Sequence, residues 1–381
     1  MPAAPRSILI SAGEASGDYY AARLVESLRT LWPDCDFFGA AGPQLRAQGV
    51  EPVIRTEDLS VVGLLEVATQ LPSIWRRFQT LTRVAAQRKP DLAILADSPD
   101  FNLRVASRLK RHGIPVIYLV APQVWAWRRG RVKVMRRLID HLLCIFPFEE
   151  KFFEDHGIAA TYIGHPLAPR IRPALSREEF FRKHQLPLDR PLIGVLPGSR
   201  RGEAMRHLAH LVEAAEILNA RRELSFVLPA SPLCGAGFFE PHLRSSPIRP
   251  IEGEAWDAIA FSDVALAASG TVTIEAALLG TPMVTFYRVT GVSWALGRFL
   301  VDVPFFSMVN LIAEKRVVSE LMQKEMSGER IAAEALRLLD NDSERGKMKE
   351  ELARVAARLT GSAEPMATAA REVERVWEVS N

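Results

Sequence analysis

Ala267-Ala-Ser-Gly-Thr-Val-Thr-Ile-Glu-Ala-Ala-Leu-Leu-Gly-Thr-Pro282 is the stretch on which the reading of the fold turns. The apolar run Val264–Ala268 at its start suits a buried parallel strand. Ser269-Gly270-Thr271 supplies a flexible turn with two hydroxyl N-cap candidates, and Gly280 with Pro282 stops the helix that follows. Met283–Phe286 reads as the next strand, so the whole is a βαβ unit of a parallel sheet. A helix start offers unpaired N–H groups. Ser269, Gly270 and Thr271 are therefore candidate anion ligands, with a diphosphate the natural occupant. Glu275, about one turn further in, is placed to accept hydrogen bonds from both hydroxyls of a ribose. An ordinary capped helix with a surface Glu fits the same local pattern.

Upstream the rhythm recurs, with a helix near Arg177–His184, a strand at Leu192–Leu196, a helix from Glu203 and a strand at Leu224–Leu228. Pro197-Gly-Ser-Arg-Arg-Gly-Glu203 lies where a strand becomes a helix. Gly198 lets the chain approach a ligand, Ser199 and the N–H groups favour an anion, and Arg200 offers a planar fork to phosphate. Two phosphate-facing turns in one domain are a stronger signal than either alone. His207 and His210 lack a third ligand nearby and read as surface histidines. Asp34-Cys-Asp36 and Asp340-Asn-Asp342 match a short acidic motif of metal-dependent sugar transferases. The first precedes a strand and the second lies in a helical linker, so no metal is expected.

Pro166 to Pro173 reads as a linker, which divides the chain into domains at 1–168 and 169–359. The last amphipathic helix, 360–381, either crosses back onto the first domain or meets another subunit. The first domain alternates apolar strands (Ile8–Ser11, Phe37–Ala40, Leu92–Ala96, Val116–Leu119, Leu142–Ile145, Tyr162–Ile163) with helical patterns. Working loops follow the carboxyl ends of such strands. Gly13-Glu-Ala-Ser-Gly-Asp18 is neither a Walker loop nor a dinucleotide fingerprint. Its acids would repel phosphate, so it suits hydroxyls or amides, or simply caps a helix. Asp97 and Asp100, around the turn after Leu92–Ala96, are material for general base catalysis, with helix capping the competing role for Asp100. The Trp125–Arg137 cluster of aromatics and arginines suits nucleic acid, an anionic lipid head group or a solvated basic face. Gly164-His-Pro166 suits a hinge. The apolar stretch around Val61, Val62, Leu64 and Leu65, close to Trp75, Arg76 and Arg77, either lies in a lipid interface or packs as core.

Bulk properties bound these readings. With 381 residues, 48% hydrophobic and 24% charged, the composition is globular and the length suggests two domains. A net charge of only +3 argues against general nucleic-acid binding. Cys35, Cys144 and Cys234 are too scattered for a disulfide framework or a zinc site, which suits a reducing cytoplasm. No signal-peptide pattern precedes Ile8, and no apolar run is long enough to span a bilayer. The layout implied is a donor site in the second domain, an acceptor site in the first and a cleft between.

The motifs also occur together in one order: Gly13–Asp18, Val61–Val67, Ala96–Asn102, Pro122–Arg128, Phe146–Glu149, Gly164–Pro166, Leu196–Arg200 with Glu203, Ser269–Thr271 with Glu275, and Asn310. The ordered set resembles the lipid-A-disaccharide synthases across nearly the whole length. The resemblance implies an α/β fold of two Rossmann-like domains facing a cleft, the glycosyltransferase-B fold. It implies inverting transfer from UDP-2,3-diacylglucosamine to 2,3-diacylglucosamine 1-phosphate, making a β-1,6 bond and releasing UDP, with no metal or other cofactor. It also implies a cytoplasmic protein, peripheral on the inner face of the inner membrane and in contact with its phospholipid. Nucleic acid is not a partner in this reading, a homodimer stays open, and a UDP-N-acetylglucosamine epimerase of the same fold is the alternative. On this resemblance Asp97 is the leading base, with Glu14, Ser16 and Asp18 positioning sugar or assisting it. Arg200 and the Ser269–Thr271 turn would stabilise the leaving diphosphate, and Glu275 with Asn310 would hold UDP. Val61–Leu71 would contact membrane or acyl chain, and Trp125–Arg137 would face anionic lipid or the acceptor phosphate. Two departures stand out. Pro169 replaces an acid common in the family, and Glu314-Lys315 stand where the family usually reads Gly-Arg, leaving Lys315 or Arg316 as substitute phosphate contacts.

Overall fold

The computed structural model describes residues 4–59, 64–126, 130–291, 294, 303–361 and 363–380, with the side chains of 64–70 and 380 outside that description. The chain forms two compact units, Met1–Pro166 with Leu359–Asn381, and Leu167–Arg358.

In the first unit the strands are β1 (Ser7–Ala12), β2 (Asp36–Ala41), β3 (Glu51–Arg55), β4 (Leu92–Ala96), β5 (Val116–Leu119), β6 (His141–Cys144) and β7 (Ala160–Tyr162). They make one parallel sheet in the order β3-β2-β1-β4-β5-β6-β7. Between them run α1 (Ala15–Leu31), α2 (Pro43–Ala47), α3 (Leu64–Arg88), α4 (Pro99–Arg111), α5 (Arg131–Leu138) and α6 (Pro147–Asp155). The central strand β4, Leu-Ala-Ile-Leu-Ala, is buried at every residue, as a strand covered on both faces must be. The edge strand β3 has no such run. Its Pro52 has no N–H to donate, which an edge tolerates, and the hydrophobic pattern alone does not reveal it.

The second unit has β8 (Leu192–Leu196), β9 (Ser225–Ala230), β10 (Ile248–Glu252), β11 (Val264–Ala268), β12 (Met283–Tyr287) and β13 (Ser319–Met322), in the order β10-β9-β8-β11-β12-β13. Its described helices are α7 (Arg177–Lys183), α8 (Arg201–Arg221), α9 (Ala236–Leu243), α10 (Ala255–Phe261), α11 (Thr271–Leu278), α12 (Met308–Ala313), α13 (Gly328–Asp340) and α14 (Asp342–Thr360). The final helix, α15 (Pro365–Ser380), returns to the first unit. Met366, Ala369, Ala370, Val373 and Trp377 are buried along one stripe of it at helical spacing. In each sheet the strand order reverses beside the first strand, at β1/β4 and at β8/β11, so the crevice for a ligand lies at those carboxyl ends.

Candidate active site

In the first unit that crevice is built around Asp97. Its Oδ1 accepts the Gly13 N–H at 2.8 Å and its Oδ2 the Glu14 N–H at 3.2 Å, both from the turn that opens α1. Gly17 faces the same carboxylate so closely that a Cβ there would lie 1.8 Å from Oδ2, so only glycine fits. Burial pushes the Asp97 carboxyl up to about 7, further helped by the Glu14 charge and opposed by the two N–H groups. A carboxylate that gains and loses its proton near neutrality, at the end of a strand, is well matched to general base work.

Its neighbours divide into reachable and committed groups. Glu14 and Ser16 are exposed at the mouth of this turn. Asp18 is not: its buried carboxylate accepts from Gly42 N and Gln44 N at 2.8 Å each and from Leu45 N at 3.2 Å. Its carboxylate caps α2, where the resemblance implied a sugar contact. Asp100 is exposed and paired with Arg131, which separates it chemically from Asp97. Trp125 is buried, and its indole donates to the buried Glu149 at 2.9 Å, so this part of the aromatic–basic cluster is core. Lys133, Arg136 and Arg137 on α5 remain exposed. Val61 and Val62 lie outside the described residues, as do the side chains of Leu64 and Leu65 at the start of α3. Further along α3, Leu71 and Trp75 are exposed at 55% and 48%.

The second unit carries a cavity of about 510 Å³ at the carboxyl ends of its strands. Gly198 and Ser199 line it from one turn, Ser269, Gly270 and Thr271 from the other, and Glu275 from the first turns of α11. Gly198 has φ +118°, and a Cβ there would meet the Glu203 carboxyl at 2.6 Å, so the close approach requires glycine. The Ser269 hydroxyl donates to Phe306 O at 2.9 Å. That leaves the N–H groups opening α11 and the Thr271 hydroxyl for an anion. The Trp256 indole donates to Glu275 Oε2 at 2.9 Å, and burial raises the Glu275 carboxyl above its ordinary range. Arg200 occupies the N-cap position of α8 without a side-chain cap bond, exposed just outside the cavity lining.

Asn310 is fully buried and engaged at both ends of its amide. Nδ2 donates to Val318 O (3.0 Å) and Glu320 (2.9 Å), while Oδ1 accepts from Val317 N (2.7 Å) and Val318 N (2.9 Å). It braces the segment before β13, and its side chain does not line the cavity of this unit. Lys315 pairs with Glu351 at 2.7 Å. His207 is likewise not a surface residue. Arg288 N donates to its Nε2 at 3.0 Å, so Nδ1 carries the proton and donates to Pro197 O at 2.7 Å, steadying the Gly198 turn.

Several contributors went unseen in the sequence. Trp256 and Arg172 line the cavity, and Ser231 and Cys234 both donate to Ser199 O, at 2.8 and 3.5 Å. Ser231 directly follows β9, so the strand-end rule could have found it; the others carry no local signal. Among the described residues, no group of three His, Cys, Asp or Glu side chains is placed to hold a metal ion.

The chain is similar to known proteins in both sequence and fold. Residues 8–373 match the family model described as lipid-A-disaccharide synthetase. A lipid-A-disaccharide synthase of Solibacter usitatus is 59% identical over 371 residues, covering 97% of each chain. One from Myxococcus xanthus is 44% identical over 364 residues, covering 94% of this chain and 95% of its own. Among solved structures, the UDP-GlcNAc 2-epimerase of Neisseria meningitidis bound to UDP-GlcNAc aligns at TM-score 0.64 and 14% identity, covering 98% of this chain and 100% of its own. The calicheamicin glycosyltransferase CalG4 aligns at 0.58 and 16%, covering 98% of each. At such identities these structures speak for the fold alone.

Proposed function

The chain belongs to the lipid-A-disaccharide synthetase family, and on that premise we propose how its residues divide the work of glycosyl transfer. The family's reaction joins a UDP-linked diacylglucosamine to a diacylglucosamine 1-phosphate and releases UDP; an epimerase reading has only distant structural likeness behind it. UDP sits in the cavity of the second unit, diphosphate toward Gly198, Ser199 and the Gly270–Thr271 amides, ribose on Glu275. The acceptor binds at Asp97, beside Glu14 and Ser16. Asp97 takes the proton of the acceptor 6-hydroxyl as that oxygen attacks the anomeric carbon. The bond to UDP breaks on the opposite face, and its electron pair leaves on the diphosphate, stabilised by the turn amides and Arg200. Asp100, exposed and held by Arg131, is not the base.

The observation that carries this reading is the half-buried Asp97 carboxylate, held by the Gly13 and Glu14 amides at the end of β4 with its carboxyl pushed up to about 7 by burial. In mixed micelles, Asp97→Asn is expected to lower acceptor-dependent UDP release by about 10²–10⁴-fold with UDP affinity intact. Wild-type kcat/KM should rise with pH through about 7, as the base loses its proton. Full turnover by the variant would remove Asp97 from the chemistry.

Among the described residues, no helix is long and apolar enough to cross a membrane. We further propose peripheral attachment to the cytoplasmic face of the inner membrane. Leu71 and Trp75 enter the lipid interface, and Arg76, Arg77 and the basic residues of α5 meet anionic phospholipid.

A further inference from the structure

The Asp97 carboxylate is aimed from behind as well as in front. Asp97 and the following Ser98 both have positive φ, +49° and +39°. Residues with side chains keep such a conformation only where their surroundings over-determine it. Here the surroundings are two buried side chains that grip the Asp97 carbonyl: the Asn102 amide at 3.0 Å and the Tyr118 hydroxyl. Asn102 is itself fixed. It donates to Ala96 O at 2.8 Å and to Ser11 O at 3.2 Å, and accepts from the Ser11 hydroxyl at 2.7 Å, so it ties the ends of β1 and β4 together. Tyr118 is fully buried on β5, in register with Leu95 of β4.

We propose that Asn102 and Tyr118 are positioning residues for the transfer: by holding the Asp97 carbonyl they keep the left-handed turn that presents its carboxylate to the Gly13 and Glu14 amides and to the acceptor hydroxyl. The inference rests on Asp97 being the base. Once the grip is released, residue 97 relaxes toward an extended conformation and its carboxylate leaves the amides for solvent. The charged and titratable groups facing this turn are Glu14 from the opening of α1, Asp100 on α4, Arg131 on α5 and Tyr118 itself. Burial pushes the Tyr118 hydroxyl far above its ordinary range, so it does not titrate with the reaction.

Tyr118→Phe removes the hydroxyl and keeps the ring. The full-length variant is expected to lose about 10–100-fold in kcat, as for a displaced catalytic group. KM for both substrates and UDP affinity should hold, while the acid limb of kcat/KM moves to lower pH because the carboxylate becomes hydrated. In a double-mutant cycle, Asp97→Asn/Tyr118→Phe should be no slower than Asp97→Asn alone. Asn102→Ser, which removes the other donor to the same carbonyl, should repeat the pattern. Unchanged kcat and pH profile in Tyr118→Phe, or losses that multiply in the cycle, would overturn the positioning role while leaving Asp97 as base. Full turnover by Asp97→Asn would overturn the base assignment and this inference with it.

Discussion

Asp97 and Glu149 are both carboxylates that burial drives toward neutrality, and their partners separate their roles. Asp97 faces loop amides at a crevice. Glu149 is fully enclosed between the Trp125 indole and the Phe146 N–H, with its carboxyl pushed up to about 8 from 4.5. The folded state keeps a proton that the unfolded chain gives up near 4.5. This group's contribution to stability is therefore complete below that pH and falls as pH rises toward about 8. Glu149→Gln, which does not titrate, should flatten that decline in urea melts run across the interval. Glu314 offers a second test at this scale. It closes α12 with φ +58°, where a glycine would sit without strain, and its exposed ion pair with Arg358 at 3.0 Å contributes little. Glu314→Gly should raise stability by about 0.5 kcal/mol in the same melts.

Among the elements, α3 departs most from the alternating pattern. It runs for 25 residues with Pro72 inside it, a position that forgoes one helical hydrogen bond. Phe78, Leu81 and Ala85 on its later turns are buried in the core, whereas Leu71 and Trp75 face outward. The helix is core in its second half and carries exposed apolar side chains at Leu71 and Trp75, while Val61, Val62 and the side chains of Leu64 and Leu65 lie outside the described residues. Leu71→Ser/Trp75→Ser should leave the melting temperature within about 2 °C, since exposed side chains add little to folding. The same variant should lower co-flotation with anionic liposomes several-fold. Unchanged flotation would leave the basic face of α5 as the sole membrane contact.

For the whole molecule, the notable feature is that the chain leaves its first unit at Pro166 and returns to it from Leu359. The returning α15 buries the stripe from Met366 to Trp377, and its Glu372 accepts from the Thr161 hydroxyl of β7 at 3.3 Å. At roughly 1.5–3 kcal/mol per large apolar side chain, Met366, Val373 and Trp377 together are comparable to the margin by which a domain is stable. A chain ending at Arg358 should therefore lose the cooperative melt of the first unit. The second unit should keep its own transition and its upward shift with UDP, as mass action requires of a ligand bound only by the folded form. Calorimetry of the truncated chain distinguishes these outcomes.

The two parallel sheets, their strand-end loops and the cavity-lining turns at Gly198 and Ser269–Thr271 were legible in the linear pattern. Apolar runs, glycines and helix starts act locally, and their physics lies within a few neighbouring residues. The ordered motifs pointed further, to Asp97, which the fold sets at the end of β4, and to Glu275, which lines the cavity. The partners of each polar group were not legible. The internal hydrogen bonds of Asp18 and Asn310, to the start of α2 and to the segment before β13, are one example. Asp97 and Asp100 look alike until burial raises one and Arg131 pairs with the other. Trp256, Tyr118 and His207 gain their roles only from contacts far along the chain. A side chain's hydrogen-bond partners and its desolvation are set by what packs against it in space, and no local pattern encodes that.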